Sequence, residues 1–114
     1  MSLKLVAKKK DATTELKLRL DIPNGPQGTI VLVAFQKDKK ELKALRQIEQ
    51  DDEELIPHII QEVRGFTDET GAAISGQASL DAVLFGEWSS YLVNAIVIRY
   101  FEHFNEAGAK NARR

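Results

Sequence analysis

The sequence predicts an α+β domain, with an N-terminal antiparallel β-hairpin followed by about four α-helices, the last of which is the longest. Apolar and charged residues alternate from Thr14 to Asp21, and after a turn the run Thr29–Phe35 is rich in β-branched residues. Towards the other end, an apolar-rich helical pattern extends from Trp88 to Glu106. A hairpin followed by a series of helices is typical of the α+β class.

Length and composition indicate one soluble domain. The 114 residues, 43% of them hydrophobic and 29% charged, suffice for a single buried core, which we place at residues 14–106. Residues 1–13 are expected to form a flexible N-terminal arm and residues 107–114 a flexible basic C-terminal tail. The net charge of −1 argues against nucleic acid as a partner, and no apolar run is long enough for a membrane span or a signal peptide. The expected location is therefore the cytoplasm.

The first two elements are predicted to be the strands of the hairpin. Leu16, Leu18 and Leu20 point to one face of the first strand, whereas the charged residues between them point to the other face. The segment 22–28 contains Asn-Gly and two prolines, a composition that favours a turn and ends a strand. The second strand, Thr29–Phe35, is apolar on both faces and is expected to be the more buried of the two.

A short helix should follow the hairpin. Asp38 and Glu41 stand three residues apart, as the N-cap and N3 residues of a capping box do. Leu42, Leu45 and Ile48 then recur at a spacing of three, which predicts a helix with a narrow apolar stripe.

The second helix is predicted from Asp52 to Val63. Carboxylates occupy its first turn, where the helix dipole favours negative charge. Pro57 stands late for a first-turn proline, so the helix could instead begin or bend at this residue. Gly65 is the expected C-terminal stop.

The rest of the chain is predicted to alternate between turns and helices. Residues 64–74 should form an extended segment, a turn and a second extended segment, with Gly71 at the reversal. Ser79 is the expected N-cap of a third helix, which Gly86 ends. The last helix should then extend from about Glu87 to Glu106.

The last helix carries more apolar residues than one buried face requires. It can be a central core helix wrapped by the other elements, or part of its surface, with Tyr100, Phe101 and Phe104, can contact another chain. Four residues from three elements are expected to be buried in the core: Leu32, Ile59, Leu92 and Ile96.

No group of polar residues has the spacing of a reaction centre. The carboxylates at 51–54 and at 68–69 fall on a predicted helix start and a loop tip, where solvated capping is their expected role. The loop that begins at Asp68 lacks the alternating oxygen ligands and the closing glutamate of an EF-hand. The chain has no cysteine, and neither His58 nor His103 has a second ligand at helical spacing. We therefore predict no enzymatic activity, metal or cofactor.

The second half of the chain has a distinctive order of parts. Gly65-Phe66 places an aromatic residue directly after glycine, Asp68–Gly71 forms an acidic turn, and a short helix follows. The last helix contains Tyr100-Phe101-Glu102, and Lys110-Asn111 closes the segment. Together with the hairpin and the two helices before it, this order resembles the small tail-assembly chaperones of long-tailed bacteriophages and their prophages. The sequence departs from that family at Phe66, where tryptophan is commoner, and at Ala72-Ala73, where a polar pair is expected.

The resemblance implies a chaperone that binds the tape-measure protein, keeps its apolar segments soluble in the host bacterial cytoplasm and helps to recruit tail-tube subunits. Aromatic residues supply large contact areas, so the candidate partner-binding residues are Phe66, Tyr100, Phe101 and Phe104. Excess apolar surface and an uncovered hairpin edge also favour a homo-oligomer. The alternative is a small structural tail or neck component that is retained in the virion, and a third hypothesis is a small bacterial regulatory binding module.

Overall fold

The computed structural model describes residues 3, 5, 9, 11–48 and 51–104. Its elements are, in chain order, β1 (Thr13–Asp21), β2 (Gln27–Phe35), α1 (Lys39–Ile48), α2 (Asp52–Ile59), β3 (Ile60–Arg64), β4 (Phe66–Thr67), β5 (Ala73–Ile74), α3 (Gln77–Phe85) and α4 (Ser89–Phe104). The predicted fold class is confirmed, because an antiparallel hairpin precedes four helices in the described ranges and the last helix is the longest. The predicted tail at 107–114, the last two residues of the predicted final helix and most of the predicted arm lie outside the described residues.

The strands β1, β2 and β3 form an antiparallel sheet with β2 in the centre. Leu16 is opposite Leu32, and Leu32 is opposite Val63, so these three buried side chains form one row on the inner face of the sheet. The outer face carries charged side chains, among which Arg64 and Glu15 form an ion pair at 3.0 Å across the sheet. The alternation predicted for the first strand therefore corresponds to an inner apolar face and an outer charged face.

The central position of β2 explains its apolar character on both faces. Leu32 is buried on the inner face, and Val33 is also buried although it lies on the outer, charged face. A middle strand has neighbours on both sides, so even its outer side chains are covered by those of the flanking strands. The prediction that this strand is the more buried one is confirmed.

The prediction that the second helix continues to Val63 is wrong. The helix α2 ends earlier, and Ile60–Arg64 forms β3, the third strand of the sheet. The pairing of β2 with β3 shifts by one residue between Val33 and Ala34. This irregularity lets Ile60 and Val63 both face the core, although they are three residues apart. A helix and a bulged strand thus give the same apolar spacing here.

Gly65 separates β3 from β4 and does not end a helix, which corrects its predicted role. Its φ is +112°, and a Cβ atom at this position would lie 3.3 Å from the Cα atom of Ile30. The chain crosses close to β2 at this point. It then forms the predicted extended, turn and extended segments, in which Phe66–Thr67 pairs with Ala73–Ile74.

The first helix begins at the predicted capping box. At the start of α1, the N–H of Glu41 donates to the Asp38 carboxylate at 2.8 Å, and the N–H of Asp38 donates to the Glu41 carboxylate at 3.1 Å. The apolar stripe of α1 is shorter than predicted, because Leu42 is buried but Ile48, at the helix end, is 75% exposed. Pro57 lies inside α2 and does not begin it.

Ser79 lies inside α3 and does not cap it, because the helix already begins after Gly76. The Ser79 hydroxyl accepts a hydrogen bond from the N–H of Val63 at 2.9 Å and donates one to the carbonyl of Gly76 at 2.6 Å. Its side chain is fully buried. Ser79 therefore joins the edge of β3 to the first turn of α3.

Replacing Ser79 with alanine should lower the free energy of unfolding by about 1–3 kcal/mol, because the N–H of Val63 would lose its acceptor in a buried position. Urea denaturation followed by circular dichroism measures the change. Ser90→Ala is a matched control, since this serine is exposed on α4, and it should change the free energy of unfolding by no more than about 0.5 kcal/mol. Equal losses in the two variants would contradict the assignment of a bridging role to Ser79.

The core lies between the inner face of the sheet and the helices. The four residues predicted to be buried are all buried: Leu32, Ile59, Leu92 and Ile96. The helix α4 packs against β1, α2 and α3, and the Nε atom of Arg99 on α4 donates a hydrogen bond to the carbonyl of Lys17 at 2.9 Å. The helix α4 therefore occupies a central position in the core, which is one of the two interpretations that its sequence allows.

Candidate functional site

Three of the four candidate partner-binding residues lie together towards the C-terminal end of α4. The ring centroid of Tyr100 lies 5.4 Å from that of Phe101 and 4.5 Å from that of Phe104. Tyr100 is fully buried, and its hydroxyl donates a hydrogen bond to the carbonyl of Phe35 at 2.8 Å. Burial, reinforced by the charge of Glu41, raises the pKa of Tyr100, so the hydroxyl remains protonated. In this fold Tyr100 lies in the core, the alternative that the sequence leaves open for it, and its side chain is not accessible to a partner.

Phe101 and Phe104 are half-buried and pack against the edge of the core. The guanidinium carbon of Arg46, on α1, lies 5.4 Å from the centre of the Phe101 ring. The ring of His103 meets that of Phe104 edge-on, with their centroids 4.7 Å apart. Both phenylalanines keep part of their surface accessible, so each can still contact a partner.

Phe66 lies apart from this cluster. It lines a groove together with Trp88, which immediately precedes α4. Tyr100 follows Trp88 by 12 residues, which corresponds to about 18 Å along the helix axis at the rise of an α-helix. The four candidate residues therefore do not form one site.

The groove at Phe66, called here the Phe66 groove, has a volume of about 430 Å³. It lies between the turn of the β1–β2 hairpin, the β4–β5 hairpin, α3 and the start of α4. Its apolar lining consists of Pro26, Phe66, Ile74, Ala82, Trp88 and Leu92. Concave apolar surfaces of this kind are where proteins receive ligands or the side chains of partner segments.

The turn of the β1–β2 hairpin holds one wall of the Phe66 groove in place. Within this turn the N–H of Gly25 donates to the carbonyl of Ile22 at 2.9 Å. A Cβ atom at Gly25 would lie only 2.8 Å from the Trp88 ring and 2.8 Å from the Ile22 side chain. The backbone of the turn is therefore packed directly against the indole, and a larger residue at position 25 would displace it.

The β4–β5 turn forms another part of the groove lining. The Oδ1 atom of Asp68 accepts hydrogen bonds from the N–H of Thr70 at 2.8 Å, the hydroxyl of Thr70 at 2.6 Å and the N–H of Ala72 at 3.0 Å. The hydrogen bond from the Thr70 hydroxyl is the main reason why the pKa of Asp68 lies below its usual range. Asp68 is thus an ionised carboxylate that shapes a turn, as the sequence predicts for this loop.

A second groove, of about 670 Å³, lies between the acidic start of α2 and the first turns of α4. Its lining includes the carboxylates of residues 51–54, which occupy the helix start that the sequence predicts. Arg46 offsets part of this charge through an ion pair with Asp52 at 3.0 Å. Among the described residues, no group of three or more side chains could hold a metal ion.

Exposed apolar side chains lie on α3 and α4, and for α4 they account for the excess of apolar residues seen in its sequence. Phe85 is 81% exposed, Tyr91 58% and Ile98 52%. Tyr91 and Ile98 are seven residues apart and so lie on the same, outer face of α4. Leu92 and Ile96, which the sequence predicts to be buried, define the side of the helix that faces the core. The positions of Tyr91 and Ile98 relative to these two residues are the signal in the sequence that identifies them as outward-facing.

Comparisons of the chain with protein-family models, with curated proteins and with solved structures found no match. None of the helices in the described ranges combines the length and the apolarity that a bilayer crossing requires.

Proposed function

We propose that the chain is a tail-assembly chaperone of a long-tailed bacteriophage or prophage. It binds apolar segments of the tape-measure protein in the host bacterial cytoplasm and helps to recruit tail-tube subunits. The order of parts from Gly65 to Asn111 supports this function by resemblance. The observation that carries the proposal is the Phe66 groove, an open apolar groove with the aromatic walls Phe66 and Trp88.

The Phe66 groove can receive part of a client segment. A volume of about 430 Å³ accommodates a few apolar side chains. Several copies of the protein on one long tape-measure chain would bind it more firmly, because multivalency raises the overall affinity. The outer face of α4, with Tyr91 and Ile98 exposed, provides apolar surface for the homo-oligomer that this arrangement needs.

Phe66→Ala should weaken binding to tape-measure fragments by about 30-fold, the effect of losing an interface anchor worth about 2 kcal/mol. Phe66 is half-buried and packs partly against the core, so binding is compared at a temperature where the variant is fully folded. Co-expression with the fragments gives their soluble fraction, and titration of purified components gives the affinity. Phe85→Ala is the matched control: it also removes a phenylalanine, but one that is exposed and outside the groove lining, so binding should match the wild type.

Two results would overturn the proposed function. If the intact protein fails to keep co-expressed tape-measure fragments soluble, it is not their chaperone. Mass spectrometry of mature virions tests the alternative function, since a chaperone should be absent from the particle, whereas a structural tail or neck component should be present.

A further inference from the structure

We propose that the Phe66 groove selects apolar partner segments that carry a lysine or arginine beside their apolar side chains. This inference rests on the proposed function and specifies which segments of the client bind. It follows from the charges around the groove, from the chemistry of its walls and from the balance of charge over the whole chain.

The charged residues that line the Phe66 groove in the described part of the chain are all acidic. Asp68 and Glu69 belong to the β4–β5 turn, and Glu87 precedes α4, so negative charge is supplied by two separate segments of the lining. The hairpin turn, α3 and α4 add uncharged residues, and neither lysine nor arginine is found among the described residues that line the groove. Asp68 stays ionised because its turn stabilises the carboxylate. Glu69 and Glu87 are exposed and can approach a partner.

This acidity is local and does not reflect the composition of the protein. The whole chain has 16 basic and 17 acidic residues, a net charge of −1. Acidic residues at an apolar groove favour a partner of opposite charge and disfavour anionic partners such as nucleic acid or acidic peptides. The walls add to this preference, because the aromatic faces of Phe66 and Trp88 attract cations.

A basic residue in the partner can contact both the apolar walls and the acidic residues of the groove. The aliphatic stem of a lysine or arginine packs on apolar surface while its charged end reaches a nearby carboxylate. A neighbouring aliphatic side chain of the same segment can then occupy the apolar floor at Ile74 and Leu92. The occupant is therefore an apolar segment with a basic flank, and a wholly apolar or acidic segment binds more weakly.

Trp88 allows a direct test, since it is the single tryptophan of the chain and lies in the groove. Two synthetic peptides without tryptophan are titrated into the full-length protein while Trp88 emission is recorded. They share the same apolar positions and differ only in having lysine or glutamate at the flanking positions. The lysine peptide should bind about tenfold more tightly at low salt, and the difference should shrink at high salt because the charges are exposed.

Matched variants test whether the acidic residues of the groove cause the preference for the lysine peptide. The double variant Glu69→Gln and Glu87→Gln should reduce the preference for the lysine peptide to about twofold or less, since two of the three rim charges are lost. The control variant Glu53→Gln and Glu102→Gln removes the same amount of exposed charge outside the Phe66 groove and should keep the preference. Circular dichroism melts of both variants should match the wild type.

Equal binding of the two peptides, no binding of either, or an unchanged preference in the groove variant would overturn the inference. If Trp88 emission changes with protein concentration but not with added peptide, the groove binds a second copy of this chain, and the inference is also overturned. The solubility of co-expressed tape-measure fragments tests the proposed function separately. If the fragments stay soluble but the lysine and glutamate peptides bind equally, only the proposed selectivity is refuted. A bound lysine peptide with insoluble fragments refutes only the chaperone function.

Discussion

Replacing Ile96 with alanine should lower the free energy of unfolding by about 2–5 kcal/mol, as large-to-small changes in closely packed cores do. Ile96 is fully buried in the middle of α4, and this helix packs against β1, α2 and α3. The truncation removes apolar contacts on several sides and leaves a cavity that these elements cannot fill without moving. Urea denaturation of the purified protein gives the change in free energy directly.

Ile98→Ala is the control for Ile96→Ala, because it makes the same chemical change on the same helix. Ile98 is 52% exposed on the outer face of α4, so its loss should cost no more than about 1 kcal/mol. Similar losses in the two variants would mean that α4 does not have the buried inner face and the exposed outer face described above. An undiminished stability of Ile96→Ala would show that this helix is peripheral to the core.

The elements that could be predicted from the sequence are those whose pattern is local. The hairpin follows from the alternation at Leu16, Leu18 and Leu20 and from the turn residues after it, and both features act within a few residues. The capping box of Asp38 and Glu41 is likewise set by neighbours three residues apart.

The third strand could not be predicted because two structures share its pattern. Ile60 and Val63 have the spacing of a helix face, and both face the core of a sheet only because the pairing with β2 is irregular. That irregularity depends on contacts with residues about 30 positions away in the chain. The role of Ser79 has a related explanation, because its hydroxyl accepts a hydrogen bond from the backbone of β3, a partner that local capping rules do not include.

The candidate site was only partly predictable. Phe66 was selected as an aromatic residue after glycine, and the structure places it in a groove, but Trp88 and the rim at Glu87 were not selected. The groove forms where four separate segments meet, so no short stretch of sequence encodes it. Tyr100, by contrast, follows the buried residues Ile96 and Val97 at helical spacing, and this continuity of the inner face of α4 indicates a core position.

The largest loss of stability is expected for Tyr100→Ala, about 3–5 kcal/mol, the range for truncation of buried aromatic residues. Its ring packs against Phe101 and Phe104, and all of these contacts would be lost together. Tyr100→Phe keeps the ring and removes only the hydrogen bond to the Phe35 carbonyl, so it should cost about 0.5–1.5 kcal/mol. Thermal and urea denaturation of the two variants separate the packing of the ring from its hydrogen bond.

Binding measurements then distinguish the core role of Tyr100 from the partner-binding role of Phe66. At a temperature where Tyr100→Phe is fully folded, it should bind tape-measure fragments as tightly as the wild type, because its hydroxyl is engaged inside the core. Phe66→Ala should show the opposite result, with weak binding at a temperature where this variant is also fully folded. Tyr100 lies about 18 Å along the helix axis from Trp88, which lines the Phe66 groove, so neither substitution should disturb the other site. Weakened binding by Tyr100→Phe at unchanged stability would instead make the hydroxyl a partner contact, and the assignment of Tyr100 to the core would be wrong.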